Sequence, residues 1–372
     1  MRDGWDTKTI GDVCDVLDHK RKPITKRDRV PGKYPYFGAT GVLDHVEGYL
    51  FDEPLVLVGE DGAKWDSGEY TAFAVDGKCW VNNHAHVLRV RRTQLLDNWL
   101  IYYLNHSDLT AFISGLTVPK LNQGNLRTIP IPVPPLPEQQ RIVGFLDEAF
   151  AAISTARENA EKNLRNARAL FESHLQSVFA RQDEGWEQKR LEEVCEIIMG
   201  QSPAGSSYNV SGDGVPLING PVEFSPDAFG KTLRNKFTTQ PTKLCRADDL
   251  ILCVRGSTTG RMNIAGFDAC VGRGVAAIRA KQHQPWINHF INSARREIYR
   301  MGTGATFPNV SGAIVGGLRL AFPALSEQMR VGRQLDNLRA DTRRLESIYQ
   351  RKLAALDELK KSLLHQALTG QL

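Results

Sequence analysis

Gly4-Trp5-Asp6-Thr7-Lys8-Thr9-Ile10-Gly11-Asp12-Val13-Cys14 returns as Gly185-Trp186-Glu187-Gln188-Lys189-Arg190-Leu191-Glu192-Glu193-Val194-Cys195, 181 residues further on. Five of these eleven positions are identical and the apolar pattern is kept, so one short element opens two stretches of the chain. Three more echoes follow in order at an offset of 189. Gly115-Leu116-Thr117-Val118-Pro119-Lys120-Leu121 matches Gly304-Ala305-Thr306-Phe307-Pro308-Asn309-Val310, and Pro134-Pro135-Leu136-Pro137-Glu138-Gln139-Gln140-Arg141 matches Pro323-Ala324-Leu325-Ser326-Glu327-Gln328-Met329-Arg330. Ser173, Leu175 and Phe179 match Ser362, Leu364 and Leu368. Chance supplies one such match but hardly four in the same order. The chain is a tandem duplication whose second copy gains a net 8 residues before Gly304.

Each copy has two parts. The first is rich in Gly, Val, Thr and aromatics, with short apolar runs at 55–58, 85–90, 250–254 and 275–278 that read as strands between turn signals. Helical patches at 97–104 and 286–300 interrupt them. The second part opens after residues 129–137, where five prolines force extended backbone. From 138 to 181 there is no proline and only Gly144, and apolar residues alternate at spacings of four and three: Ile142, Leu146, Ala149, Ile153, Ala156 and Ala160. The stripe resumes one position shifted at Leu164, Phe171, Leu175 and Val178. The second copy opens with Ser326 as N-cap and continues through Val331, Leu335, Leu338, Leu345, Tyr349, Leu356 and Leu363. Such a seam demands a partner helix, and a helix of this length is a rod of roughly 65 Å at about 1.5 Å per residue. The expected fold class is α+β: two mostly-β heads, 1–136 and 184–325, alternating with long helices, 137–183 and 326–372. The helices pair as an antiparallel coiled coil, which makes the whole a pseudo-two-fold repeat.

Composition bounds the function. Apolar residues are 41% and charged residues 24%, ordinary for a globular chain, and no run approaches the roughly 20 apolar residues of a membrane span. The first residues lack the apolar core of a secretory signal, so a cytoplasmic location is expected. Six scattered cysteines form no C-x-x-C pair, which points to reduced structural thiols. The net charge of +5 is uneven: residues 1–136 hold 16 basic and 17 acidic groups, residues 186–325 hold 16 and 11. Residues 20–29 carry six basic groups and one acid, either a solvated loop or a loop that contacts phosphate.

A head, a Pro-rich junction ending in Pro-Leu-Pro-Glu-Gln-Gln-Arg-Ile (135–142), a long helix, then the same again, resembles the specificity subunit of type I DNA restriction–modification systems. The resemblance spans the whole chain. It rests on the Gly-Trp openings, the Glu-Gln-x-Arg helix starts, the Thr-x-Pro motifs (117–119, 306–308) and the ending Leu363-Leu364-His365-Gln366-Ala367-Leu368-Thr369-Gly370. It implies two target-recognition domains, each reading half of a split double-stranded DNA sequence. It also implies two partner adenine-N6 methyltransferase subunits using S-adenosylmethionine and, in the restricting form, two motor–nuclease subunits using ATP and Mg2+. No membrane partner is expected, and no cofactor bound by this chain.

The sequence carries no complete catalytic motif. The segment ending Gly230-Lys231-Thr232 has Ser225 where a phosphate loop needs its first Gly. Gly272-Arg273-Gly274 precedes a strand pattern rather than a helix. His84 and His86 share a strand face without a carboxylate or Cys at metal-ligand spacing, so no metal site is expected. No Asn/Asp-Pro-Pro-Tyr/Phe tetrapeptide of amine methyltransferases occurs, nor a nuclease Pro-Asp with its Asp/Glu-x-Lys. A self-contained methyltransferase or nuclease, or a coiled-coil scaffold unrelated to DNA, are the alternatives. Loop donors and acceptors are the expected DNA contacts. In the first head these are Lys33, Tyr36, Lys64, Trp65, His84, His86, Lys120 and Asn122. In the second they are Asn219, Arg234, Lys236, Arg255, Ser257, Thr258, Thr259, Arg261, Arg273, Thr306 and Asn309, with the Gly-flanked turn 255–261 as the main segment.

Overall fold

The computed structural model describes residues 4–115, 117–181, 185–304 and 308–372. It forms two compact units, Met1–Glu161 with Gln350–Leu372, and Lys162–Tyr349. Each unit therefore contains one head and a portion of both long helices.

In the first unit, Asp6–Thr9 pairs antiparallel with Pro130–Val133, so the strand that enters the head lies against the strand that leaves it. Pro130 and Pro132 are two apart, which turns both missing N–H groups to one edge of a ribbon that, among the described residues, has no further strand to bond. A four-stranded antiparallel sheet follows, ordered Cys14–Val16, Ala85–Val90, Leu55–Gly59, Ala72–Val75. Its Leu55–Gly59 strand is buried at every position, which explains a continuous apolar run in place of alternation. A second sheet is ordered Gly41–Val46, Pro31–Gly38, Lys78–Val81, Phe51–Asp52, and its central pair is parallel.

The second unit repeats this plan. Glu187–Arg190 pairs with Arg319–Phe322. A four-stranded sheet runs Cys195–Met199, Val275–Ala280, Leu250–Cys253, Met262–Ile264, and a five-stranded sheet again has a central parallel pair, Val215–Ile218 with Ala269–Val271. Registers locate the inserted residues. Cys14 pairs with Val90 as Cys195 pairs with Ala280, and Val56 pairs with Leu88 as Leu250 pairs with Ile278. The offset between copies is thus 181 at Cys14, 194 at Val56 and 190 at Val90. The net gain of 8 is a gain of 13 before the central strand, partly reversed after it. Each head closes on an edge-to-face tryptophan pair, Trp5–Trp99 at 5.4 Å and Trp186–Trp286 at 5.7 Å.

The long helices are Leu136–Phe179 and Leu325–Leu368, 44 residues each. The second begins one residue before the expected cap Ser326, and backbone N–H groups of Glu327 and Gln328 both donate to Ala324 O. At each start a Glu–Arg fork closes across one turn, Glu138 with Arg141 and Glu327 with Arg330. Between them Gln139 and Gln328 are fully buried, donating to Pro134 O and Pro323 O at 2.8 Å. The pairing is antiparallel. In the first unit Arg157 pairs with Asp357 and Arg141 donates to Leu372 O, while in the second Arg168 pairs with Glu346 at 3.1 Å. Ile142, Leu146, Leu364 and Leu368 are buried with the first head, and Leu175, Val178, Val331 and Leu335 with the second. One seam position differs from expectation. Leu345 is 39% exposed and Thr342, 2% exposed, takes its place, its hydroxyl donating to Leu338 O at 2.9 Å. Among the described residues no helix is long and apolar enough to cross a membrane.

Candidate nucleic-acid interface

The first head gathers the sequence-predicted His84, His86 and Lys120 into one cluster, together with Asp18, Arg21, Glu60 and Asp61. His86 is fully buried on the strand Ala85–Val90; its Nδ1 lies 2.6 Å from Asp18 Oδ2 and its Nε2 lies 2.7 Å from Leu121 O. Lys120 Nζ is 2.8 Å from Glu60, and His84 is paired with Asp61. Arg21 reaches Glu60, Asp18 and the carbonyl of Ala85. Burial works to raise the Asp18 carboxyl, but the hydrogen bonds from His86 and from Val87 N–H, with the charges of His86 and Arg21, hold it below its ordinary value. The ligand atoms of Asp18, Glu60 and His86 fall within 4.8 Å of one another, a spacing suited to a cation. Arg21 already bridges the two carboxylates and Lys120 caps Glu60, so protein cations stand where an ion's charge would be needed. The carboxylates come from segments remote in sequence, which is why no local motif announced them.

In the second head the turn after Leu250–Cys253 is built by glycine. Gly256 and Gly260 both have φ of +84°, and a Cβ on Gly260 would stand 2.7 Å from Arg295 O. Arg255, Ser257 and Arg261 project from this turn into solvent, Asn309 is tied to Arg255 by a backbone bridge, and Arg273 is exposed on the neighbouring turn. Arg255, Arg261 and Arg273 form no ion pair among the described residues. Arg234 lies over the Phe267 ring at 4.6 Å and Lys236 over Tyr208 at 5.7 Å, while Asn219 N–H donates to Glu223.

Four expected contacts are interior. Tyr36 is 1% exposed, its hydroxyl bonded to the backbone of Ile24 with Arg29 over its ring. Trp65 donates to Gly59 O at 3.1 Å, His86 is held as above, and Thr259 donates to Gly256 O at 2.9 Å. These side chains hold the loops and do not face a ligand. Asn122 is the N-cap of Gln123–Thr128, accepting from Asn125 N–H. Lys33 and Lys64 are exposed, Lys64 pairing with Glu69 at 3.3 Å, and Thr258 is half-buried. Thr306 lies outside the described residues. The basic run at 20–29 divides: Arg21 and Arg29 are tied into the fold by Asp18, Glu60 and Asp44, and Arg27 is exposed at the surface beside its ion-pair partner Asp28.

The bridges also align the two loop mouths. Lys120 bridges Ser114 and Asp61 just as Asn309 bridges Thr303 and Arg255. Asp61 and Lys120 therefore occupy in the first head the positions that Arg255 and Asn309 occupy in the second. Scaffold residues repeat across the copies; loop-mouth residues do not. This defines a two-headed α+β chain with repeated architecture and divergent ends.

The sequence profile of the type I restriction modification DNA specificity domain matches residues 2–163 and again 183–353. The chain belongs to the family of type I restriction–modification specificity subunits. A putative type I restriction enzyme specificity subunit, MjaX, of Methanocaldococcus jannaschii is 28% identical over 308 residues, covering 77% of this chain and 70% of the relative. Among solved structures, a chain from a type I R-M system described for its complex assembly and conformational transition superposes with a TM-score of 0.80 at 24% identity, over 100% of this chain and 99% of the other. The HsdS subunit of Thermoanaerobacter tengcongensis superposes at 0.67 with 22% identity, over 100% and 98%. These two likenesses establish the fold.

Proposed function

We propose that this chain is the non-catalytic DNA reader of a type I restriction–modification complex. Each head reads one half of a bipartite, asymmetric target with a fixed unread gap. The chain directs two methyltransferase subunits, which use S-adenosylmethionine, to adenine N6, and directs cleavage when two motor subunits using ATP and Mg2+ join. The observation that carries this reading is the loop mouth: the same backbone positions present Asp61 and Lys120 in one head and Arg255 and Asn309 in the other. Two copies of one frame that differ at the exposed tips are suited to reading two different sequences. The exposed surface of the Arg255 turn offers the fork that pairs bidentately with guanine or with phosphate.

Methylome sequencing of a host with and without this chain tests the proposal. The expected result is one adenine-methylated motif, split in two unequal halves, that disappears with the chain. A continuous motif, or methylation independent of the chain, overturns it. Methylation of DNA by the purified chain alone, supplied with S-adenosylmethionine, would favour a self-contained enzyme instead.

A further inference from the structure

The outer end of the helix Gln284–Met301 in the second head carries Arg295, Arg296, Tyr299 and Arg300. With Arg261 of the glycine turn and Glu172 of the first long helix they line a cleft of about 410 Å³. Four guanidinium groups face one carboxylate there, and among the described residues none of the four forms an ion pair. Arg295 is half-buried, and its guanidinium meets only neutral acceptors: Gly260 O at 3.2 Å and Asn292 Oδ1 at 3.2 Å. Burial, and the charges of Arg261 and Arg296, push it below its ordinary value while Glu172 opposes them. A half-buried guanidinium hydrogen-bonded to neutral acceptors, crowded by exposed cations that a single carboxylate does not balance, is costly unless an anion completes the cleft.

The duplication says which anion. Trp99 and Trp286 are equivalent, an offset of 187, so the first head's helix, Asp97–His106, ends where the second head's reaches Ser293. A matching contact supports the alignment: Gln176 donates to Ser293 O in the second unit, and the ring of its counterpart His365 lies 5.9 Å from that of His106 in the first. The segment 294–301 with its three arginines thus has no α-helical counterpart in the first head, where the chain leaves the helix at His106 and makes only the short 3-10 turn Thr110–Phe112. A protein partner bound in two copies would meet this cleft on one head only, whereas the two halves of a DNA target are read by different surfaces. We infer that this cleft holds a backbone phosphate of duplex DNA at the half-site read by the second head; the inference rests on the DNA-reading function proposed above.

The test uses the full chain assembled with its methyltransferase, and a duplex carrying the methylated motif. The double variant Arg296→Gln/Arg300→Gln changes exposed residues and spares the half-buried Arg295. We expect affinity to fall about tenfold, and the slope of log affinity against log salt to lose about one. The ranking of duplexes that differ in half-site bases should not change. A single neutral methylphosphonate in the second half-site should weaken the wild type and leave the double variant unmoved. Unchanged affinity and slope, alongside a sequence-specific wild type, would overturn the cleft and leave the DNA-reading function standing. A variant that no longer assembles with the methyltransferase while the isolated chain keeps the wild-type Tm would equally overturn it, marking the cleft as a protein-docking site. A wild-type complex without sequence preference would sink the functional proposal, and the inference with it.

Discussion

Asp61 and Arg255 occupy one backbone position in two copies of the same frame, so substitution there separates a half-site effect from a global one. Arg255→Ala or Arg261→Ala in the assembled enzyme should cost about 1–3 kcal/mol at one base position if the fork reads guanine. A phosphate contact would instead weaken every sequence alike and lower the salt slope by about one. Competition binding across single-base variants of the motif tells the two apart, and no change with either variant removes this turn from the interface. The cysteines give a second residue-level expectation. All six are buried; burial pushes Cys14, Cys195 and Cys245 up to about 12, and Cys79 and Cys253 up to about 11. Because these folded values lie above the ordinary thiol value of 9.0, the unfolded chain ionises first as pH rises. Their contribution is complete below about pH 9 and is lost between there and 11–12. Melting curves should show a Tm insensitive to these groups up to pH 9 and falling above it, and a thiol reagent at neutral pH should find them only after denaturation. Fast labelling of the native chain would contradict this burial.

At the scale of elements, the long helices show how far periodicity reaches. Spacings of three and four located both rods and their antiparallel need for each other, yet placed Leu345 in a seam that the fold gives to Thr342. Hydropathy alone favours the leucine, but the register is set by Leu335 behind it, and Thr342 is seven residues on from Leu335 on that face. A threonine satisfies its hydroxyl within the helix, donating to Leu338 O, and so tolerates the seam. Leu335→Ala should therefore cost about 2–5 kcal/mol, as a cavity does, while Leu345→Ala should stay within about 0.5 kcal/mol. Urea denaturation of the two variants checks the register directly, and equal losses would restore the sequence-derived seam. The heads were legible as strands because apolar runs and turn residues are local. Their parallel central pairs, the Asp18–Glu60–His86–Arg21 cluster and the arginines at 295, 296 and 300 were not. Those depend on which distant segments the sheet brings side by side, or, for the arginines, on a helix face that looks like any solvated surface until the glycine turn closes over it.

Over the whole molecule, duplication has kept the frame and let charge drift. The first head segment carries 16 basic against 17 acidic groups, and its loop mouth spends Arg21 and Lys120 on Asp18, Glu60 and Asp61. The second carries 16 against 11, and Arg255, Arg261 and Arg273 form no ion pair among the described residues. Phosphate neutralisation governs salt dependence, while readout through neutral donors and acceptors responds to it weakly. If both halves of the target meet identical methyltransferase subunits, whatever those subunits add to the salt slope is the same on each side. A difference between the sides then belongs to the heads. Binding of the assembled complex to two short duplexes, each holding one half of the motif, should thus fall more steeply with salt for the half whose base preference changes in Arg255→Ala. The excess slope should be about one per free arginine that meets a phosphate. Equal slopes would mean that the surplus charge of the second head lies away from the DNA, and the arginines at its turn would have to be read as surface.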